Sequence, residues 1–256
     1  MRPPSGEEIL NHIKPMKIIK FYTTTVIVLV LSLLLVDLPA LAQRHIKGEG
    51  EVKSQTRNVS GFKGIDVGGG FAVELTQGNK EGVRIEAQEN LLENIKTEVR
   101  NGVLHIYNEG GISTNKGLKA YITVKELNKI NISGGVKVTG NSTFKTDAMN
   151  MDLSGGSKVT LAIDTKKLNA VMSGASKVQL TGRADEAEMD LSGASSLDAA
   201  ELETKRMEIE ASGASKAQVY AKDVLNVNAS GASKVAYKGS PSITSDVSAA
   251  AKISKM

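Results

Sequence analysis

Two hydroxyls and an ammonium recur within six residues throughout the second half of this chain. The clearest copy is Ser173-Gly174-Ala175-Ser176-Lys177-Val178. It also appears as Ser133-Gly134-Gly135-Val136-Lys137-Val138, Ser154-Gly155-Gly156-Ser157-Lys158-Val159 and Ser192-Gly193-Ala194-Ser195-Ser196-Leu197. Further copies are Ser212-Gly213-Ala214-Ser215-Lys216-Ala217, Ser230-Gly231-Ala232-Ser233-Lys234-Val235 and the worn Ser248-Ala249-Ala250-Ala251-Lys252-Ile253. A nucleophilic serine needs an adjacent base and donors for an oxyanion. Past residue 42 the histidines are His45 and His105, both outside these copies, so the serines do not read as nucleophiles. Their types and spacing suit hydroxyl-to-backbone and hydroxyl-to-hydroxyl bonds between neighbouring rungs.

Lysine is the other reactive type in the phrase. Lys137, Lys158, Lys177, Lys216, Lys234 and Lys252 share one position in successive copies. If the copies stack, they form a line of ammonium groups about 5 Å apart, repelling by somewhat under 1 kcal/mol per neighbour in water. One reading is a solvated face that keeps the sheet soluble. The other is a cationic stripe that binds an acidic polysaccharide. Two residues before each turn lies a mostly acidic or amide column: Asn131, Asp152, Asp190, Glu210, Asn228 and Asp246, interrupted by Val171. It would partly neutralise the stripe if the corner brought the two together.

Other chemistries find little support. The chain has no Cys, which removes disulfides, cysteine nucleophiles and cysteine zinc sites. No His cluster or calcium-binding nonapeptide appears, so neither metal nor cofactor is expected. Asp185, Glu186, Glu188 and Asp190 come nearest to the acidic ligand set of a polysaccharide lyase, and read more simply as solvated positions of one coil.

The elements that hold these residues follow from the spacing. Successive copies begin 21, 19, 19, 20, 18 and 18 residues apart. A period near 20 with a fixed turn is a repeat architecture. Apolar residues alternate before each turn (Met149, Met151, Leu153; Leu168, Ala170, Met172; Met207, Ile209, Ala211) and again after it (Val159, Leu161; Val178, Leu180). Period-two alternation on both sides of a Gly turn predicts two half-buried strands per coil, closed by a return stretch such as Thr181–Glu186. One coil buries a handful of modest aliphatics, too little to offset the ordering of about 20 residues, so coils must stack. The expected fold is all-β: a single-stranded parallel β-helix of about seven coils over 130–256, some 30 Å long at ~4.8 Å per coil. The lack of a six-residue step favours the right-handed form.

The N-terminal half is less regular. Val67–Leu75 has the layout of Leu153–Leu161 and reads as a divergent first copy. Residues 77–127 interrupt the period as an antiparallel β insertion or cap near the N-terminal end. Within it, Asn101-Gly102 joins two alternating runs, a strong hairpin signal. A short helix is conceivable only near Glu89–Ile95. Arg44–Ser60 is a polar lead-in with one strand at most.

Residues 1–42 read as an N-terminal extension and a cleaved signal peptide. Lys17 and Lys20 precede an apolar run from Val26 to Val36, and Ala40-Leu41-Ala42 is a small-x-small cleavage site. The run is too short for a membrane span. Residues 1–15 carry Glu7 and Glu8, unusual before such a run, and Met16-Lys17 is the better start. After residue 42 the chain keeps 28 basic and 25 acidic residues, spread evenly, which does not predict a nucleic-acid partner. Residues 43–256 form a single domain on this reading.

Further residues carry a resemblance. Arg57-Asn58-Val59-Ser60-Gly61-Phe62 leads to Ile65-Asp66-Val67, followed by Val73-Glu74-Leu75-Thr76-Gln77-Gly78. With Glu89-Asn90-Leu91-Leu92, Asn101-Gly102-Val103-Leu104 and the Ser-Gly copies, this resembles the "putative auto-transporter adhesin, head GIN domain" family of bacterial exported proteins. The resemblance spans about residues 50–256. It implies a pectin-lyase-like β-helix, no established catalytic residues and a role in adhesion. The expected function is therefore an exported, non-catalytic binding or adhesion module of the periplasm or cell surface, its partner an acidic polysaccharide or envelope component. A lyase-like carbohydrate-active enzyme and an envelope scaffold of rods joined end to end are the alternatives.

Overall fold

A computed structural model describes residues 45–248 and 250–256. The proposed leader, residues 1–42, lies outside them, as does Ala249 of the worn last copy. Among the described residues eighteen strands follow one another: β1 (His45–Lys47), β2 (Val52–Arg57), β3 (Gly64–Gly69), β4 (Phe71–Gln77), β5 (Gly82–Gln88), β6 (Ile95–Arg100), β7 (Val103–Asn108), β8 (Gly111–Ser113) and β9 (Leu118–Val124). The repeats supply β10 (Lys129–Gly134), β11 (Lys137–Leu153), β12 (Lys158–Met172), β13 (Lys177–Leu191), β14 (Ser196–Ala211), β15 (Lys216–Ala229), β16 (Lys234–Lys238), β17 (Ser242–Val247) and β18 (Lys252–Lys255). A single 3-10 turn, Glu89–Leu91, stands where a short helix was conceivable. The lead-in carries two strands, β1 and β2, rather than one.

The repeats stack as a parallel β-solenoid, each strand pairing with its equivalent one coil away. Lys158 lies beside Lys177, Val159 beside Val178 and Leu168 beside Ala187. The two strands expected per coil are one bent strand of 14 to 17 residues in β11 to β15. The return stretch bends without leaving the ladder, because its backbone groups keep their partners on the neighbouring coil. Variation in coil length is taken up there. Between β11 and β12 the register shifts from Thr139–Thr160 to Thr143–Ala162, and between β13 and β14 from Gln179–Asp198 to Thr181–Glu201.

Alternation sends one side of every strand inward. Val138, Val159, Val178, Leu197, Ala217 and Val235 form one buried column, and Leu153, Met172, Leu191, Ala211 and Ala229 another. Each sharp corner is made by the glycine of the phrase, at φ +80 for Gly134, +73 for Gly155, +70 for Gly174 and +67 for Gly231. A side chain there is strained, and its Cβ would also press on the glycine of the coil below. The next position is different. Gly156 has open space around its would-be Cβ, and Ala175, Ala194, Ala214 and Ala232 occupy its place in later coils. Gly156→Ala is thus expected to stabilise the fold by up to about 0.5 kcal/mol through the unfolded chain. An unchanged or higher urea midpoint would agree; a loss of about 1 kcal/mol would contradict it.

Val67–Leu75 stacks as the divergent copy its layout suggests. Val67 pairs with Ile132, Gly69 with Gly134 and Ala72 with Lys137. Residues 77–127 contribute in two ways. β7 and β9 pair in parallel with β3 and β4 and so add a coil beneath them. β6 and β5 then run antiparallel to β7 and β9, and β2 runs antiparallel to β5. The Asn101-Gly102 hairpin is present, with φ +50 and +74. Spatial order therefore departs from chain order at this end: 103–124, then 64–77, then 129 onward.

Candidate functional site

The Lys column is fixed by what surrounds it. In five of the seven copies a second serine is buried beneath the corner: Ser157, Ser176, Ser195, Ser215 and Ser233; Val136 and Ala251 take its place in the first and last. Ser157 Oγ donates to Ser176 Oγ at 3.1 Å. Ser176, Ser195 and Ser233 Oγ donate to the carbonyls of Ser173, Ser192 and Ser230 at 2.7–2.8 Å. These bonds tie the corner from inside and occupy the hydroxyls of Ser157, Ser176, Ser195 and Ser233, while Ser215 Oγ is buried without a partner among the described residues. The residue after each serine faces outward and the next faces inward, so lysine and valine alternate by geometry.

Register then aligns the column. Lys137 sits beside Lys158, Lys158 beside Lys177, Lys216 beside Lys234 and Lys234 beside Lys252. Ser196 stands between Lys177 and Lys216. The column continues through Ala72 to Lys119, which the sequence reading missed. Lys119 precedes the repeats and joins the stripe only because β9 folds beneath β4. All seven lysines are exposed, and among the described residues none forms an ion pair. The neighbouring outward column (Glu74, Thr139, Thr160, Gln179, Asp198, Gln218, Ala236, Ser254) is neutral apart from Glu74 and Asp198.

Charges elsewhere on the rod behave differently. Along its return edge, opposite charges sit one coil apart and meet. Lys166 lies 2.8 Å from Asp147, Lys205 2.8 Å from Asp185, Arg206 2.6 Å from Glu186 and Lys222 3.0 Å from Glu203. Arg183 grips both oxygens of Asp164 at 2.7 and 2.9 Å. The signal for these pairs was present in the sequence as opposite charges 19 or 20 residues apart. Their hydrogen bonds hold Asp147, Asp164, Asp185 and Glu186 below their ordinary values of 3.8 and 4.5. Carboxylates depressed in the folded state contribute stability that is complete above the unfolded values and lost as pH falls through the folded ones. The urea midpoint should therefore hold steady from neutrality to about pH 5 and fall below about pH 4. Arg183→Met should make that acid limb shallower; a midpoint that rose on acidification would contradict the assignment.

The acidic column is also real as a line. Asp66, Asn131, Asp152, Val171, Asp190, Glu210, Asn228 and Asp246 are successive partners. His105 begins it, with Nδ1 3.3 Å from Asp66 Oδ2. The corner does not bring this column onto the lysines: among the described residues no ion pair joins the two. Of the four residues nearest to a lyase set, Asp185 and Glu186 are held by Lys205 and Arg206, while Glu188 and Asp190 stand exposed. Glu186, Glu188 and Glu208 border an open depression of about 390 Å³ with Lys167 and Arg206. Among the described residues no three His, Asp or Glu side chains converge as metal ligands. Nor is any helix among them long and apolar enough to cross a membrane.

Fold and surface define a class: a β-solenoid that displays lines of charge on extended flat faces. The chain belongs to the "putative auto-transporter adhesin, head GIN domain" family, whose model matches residues 61–241. Among solved structures, a putative adhesin from Bacteroides fragilis is similar over 82% of this chain and all of its own, with a TM-score of 0.79 and 23% identity. A putative lipid binding protein from Parabacteroides distasonis is similar over 83% of this chain and all of its own (TM-score 0.67, 22% identity). A putative adhesin from Parabacteroides merdae is similar over 83% and 99% (TM-score 0.67, 20% identity). At these identities the likeness carries the fold. No curated protein matches the chain.

Proposed function

We propose that this protein is an exported, non-catalytic binding module of the cell envelope that engages acidic polysaccharide through its lysine stripe. The observation that carries the reading is the contrast between its two kinds of charge ladder. At the return edge, charges one coil apart are opposite and paired; in the stripe, charges at the same spacing are alike and unpaired. Stacked ammonium groups repel. A linear polyanion, with charges repeated along its length, relieves that repulsion rung by rung, and each added contact strengthens the others through effective concentration. Family membership and the proposed leader support export to the periplasm or cell surface. The non-catalytic part is supported by the similar solved proteins described as putative adhesins.

Charge reversal tests this directly. Lys158→Glu, Lys177→Glu, Lys216→Glu and Lys234→Glu together should weaken binding to an acidic glycan panel by about tenfold or more, a loss of about 1.4 kcal/mol. A matched reversal of four lysines elsewhere should have a much smaller effect. Equal binding by both variants would remove the stripe from the account. Release of unsaturated products from a polyuronate panel, abolished by Asp190→Asn or Lys177→Gln, would instead establish a lyase.

A further inference from the structure

The rod carries two exposed charge ladders of opposite sign and identical pitch, one on each side of the Gly corner. Lysines 137, 158, 177, 216, 234 and 252 follow the corner, and the acidic column precedes it. Because both ladders are built on the same coils, the acidic column of one molecule matches the lysine stripe of another without any adjustment of spacing. No unrelated polymer has that match guaranteed.

Each ladder also has one central interruption, and the interruptions coincide in two arrangements, antiparallel or parallel with a stagger of one coil. Ser196 breaks the lysine stripe and Val171 breaks the acidic column, on neighbouring coils. Set two rods side by side and antiparallel, with Ser196 of one copy opposite Val171 of the other. Stepping outward, Lys177 then faces Asp190, Lys158 faces Glu210, Lys216 faces Asp152 and Lys252 faces Asp66. The remaining lysines of the repeats, Lys137 and Lys234, face Asn228 and Asn131, which offer amide oxygens. A parallel arrangement staggered by one coil also sets Ser196 opposite Val171, and there Lys137, Lys177, Lys216 and Lys234 face Asp66, Asp152, Asp190 and Glu210. Without the stagger, Lys177 would face Val171 and Asp190 would face Ser196, leaving both charges unmatched.

We propose that the chain associates laterally with a second copy of itself, the acidic face of one rod seated on the lysine stripe of the next, with the two interruptions in register. One molecule offers both faces, so the contact is heterologous and a row can extend. Exposed ion pairs are individually weak and screened by salt, so the assembly is reversible and salt-labile. It competes with acidic polysaccharide for the same lysines, which makes polymer binding and self-association alternatives.

Sedimentation velocity on the purified chain tests the association. At low ionic strength the mean sedimentation coefficient should rise with concentration, and at 1 M NaCl it should return to the monomer value, the Debye length there being about 3 Å. A monomer at every concentration in low salt would overturn the proposal. The register is testable because the chain has no cysteine. Val171→Cys mixed with Ser196→Cys should crosslink through a short bismaleimide, and far better than Val171→Cys mixed with Lys177→Cys. The reverse preference would overturn this register; within it, Lys158→Cys crosslinks to Glu210→Cys if the rods are antiparallel and to Asn131→Cys if they are parallel. Asp152→Asn, Asp190→Asn and Glu210→Gln together should abolish self-association without weakening polysaccharide binding. If that variant still associates, the acidic face is not the contact, whatever the outcome of the polysaccharide experiment.

Discussion

Gly182→Ala is expected to lower the unfolding free energy by about 4 kcal/mol, a larger loss than most surface substitutions anywhere produce. Gly182 sits where the bent strand β13 turns its return edge, at φ +105. That conformation strains any residue with a side chain, at a cost of roughly 1–3 kcal/mol. The added Cβ would also lie 2.1 Å from the carbonyl oxygen of Ile163 and 3.1 Å from its carbonyl carbon. These are backbone atoms of the neighbouring coil, held in register at the Ile163–Gly182 pair, so relief requires opening the ladder. Forced overpacking adds roughly 1–3 kcal/mol. Gly239 has the same φ of +105, and its Cβ would be 2.1 Å from Ala221 O. It borders the last coils, and solenoid stability is a sum of neighbour terms. Gly239→Ala should therefore loosen mainly those coils, visible as local amide exchange. Urea denaturation of both variants decides the matter: a loss below about 1 kcal/mol at Gly182 would show that the ladder yields easily.

Phe144→Ala should cost about 3–5 kcal/mol. Phe144 is fully buried and is, with Phe62 and Phe71, among the largest side chains of the core. It fills the interior where β11 bulges against β12, between the Thr139–Thr160 and Thr143–Ala162 pairs. Gly140 gives the ring its room, since a Cβ there would come 2.8 Å from Phe144 Cε2 and 2.7 Å from Leu161 Cδ2. The two positions should consequently be coupled. Gly140→Ala alone overpacks, at roughly 1–3 kcal/mol. In a Phe144→Leu background the same change should cost clearly less, giving a coupling of about 1 kcal/mol in a double-mutant cycle. Strict additivity would mean that ring and glycine do not share the space.

The corners were legible because one glycine per coil writes them, and the outward lysines because they alternate with buried valines. The Asn101-Gly102 hairpin declared itself for the same kind of reason: its turn needs two residues with positive φ. What escaped the sequence depends on the order in which coils lie. β7 and β9 stack beneath β3 and β4 although they follow them in the chain, and no local pattern records that reversal. Lys119 was lost with it. The ion pairs of the return edge were readable in principle, as opposite charges one coil apart. They were hidden because bulges at 140–142 and 200–202 shift the spacing that an alignment of turns assumes. The single bent strand, rather than two strands and a loop, reflects pairing between coils and not any preference within the segment.

The antiparallel strands β2, β5 and β6 have a consequence for filament growth. A stack of parallel rungs is a template, able in principle to recruit further rungs onto an open edge, as cross-β fibrils do. Here one end of the stack finishes in strands that run the other way, and its edge strands β2 and β6 carry Lys53, Arg57, Lys96 and Arg100. Another solenoid arriving at that end meets reversed polarity and charge where it would need a matching rung. The chain thus carries its own terminator at this end, which bars end-on templating there.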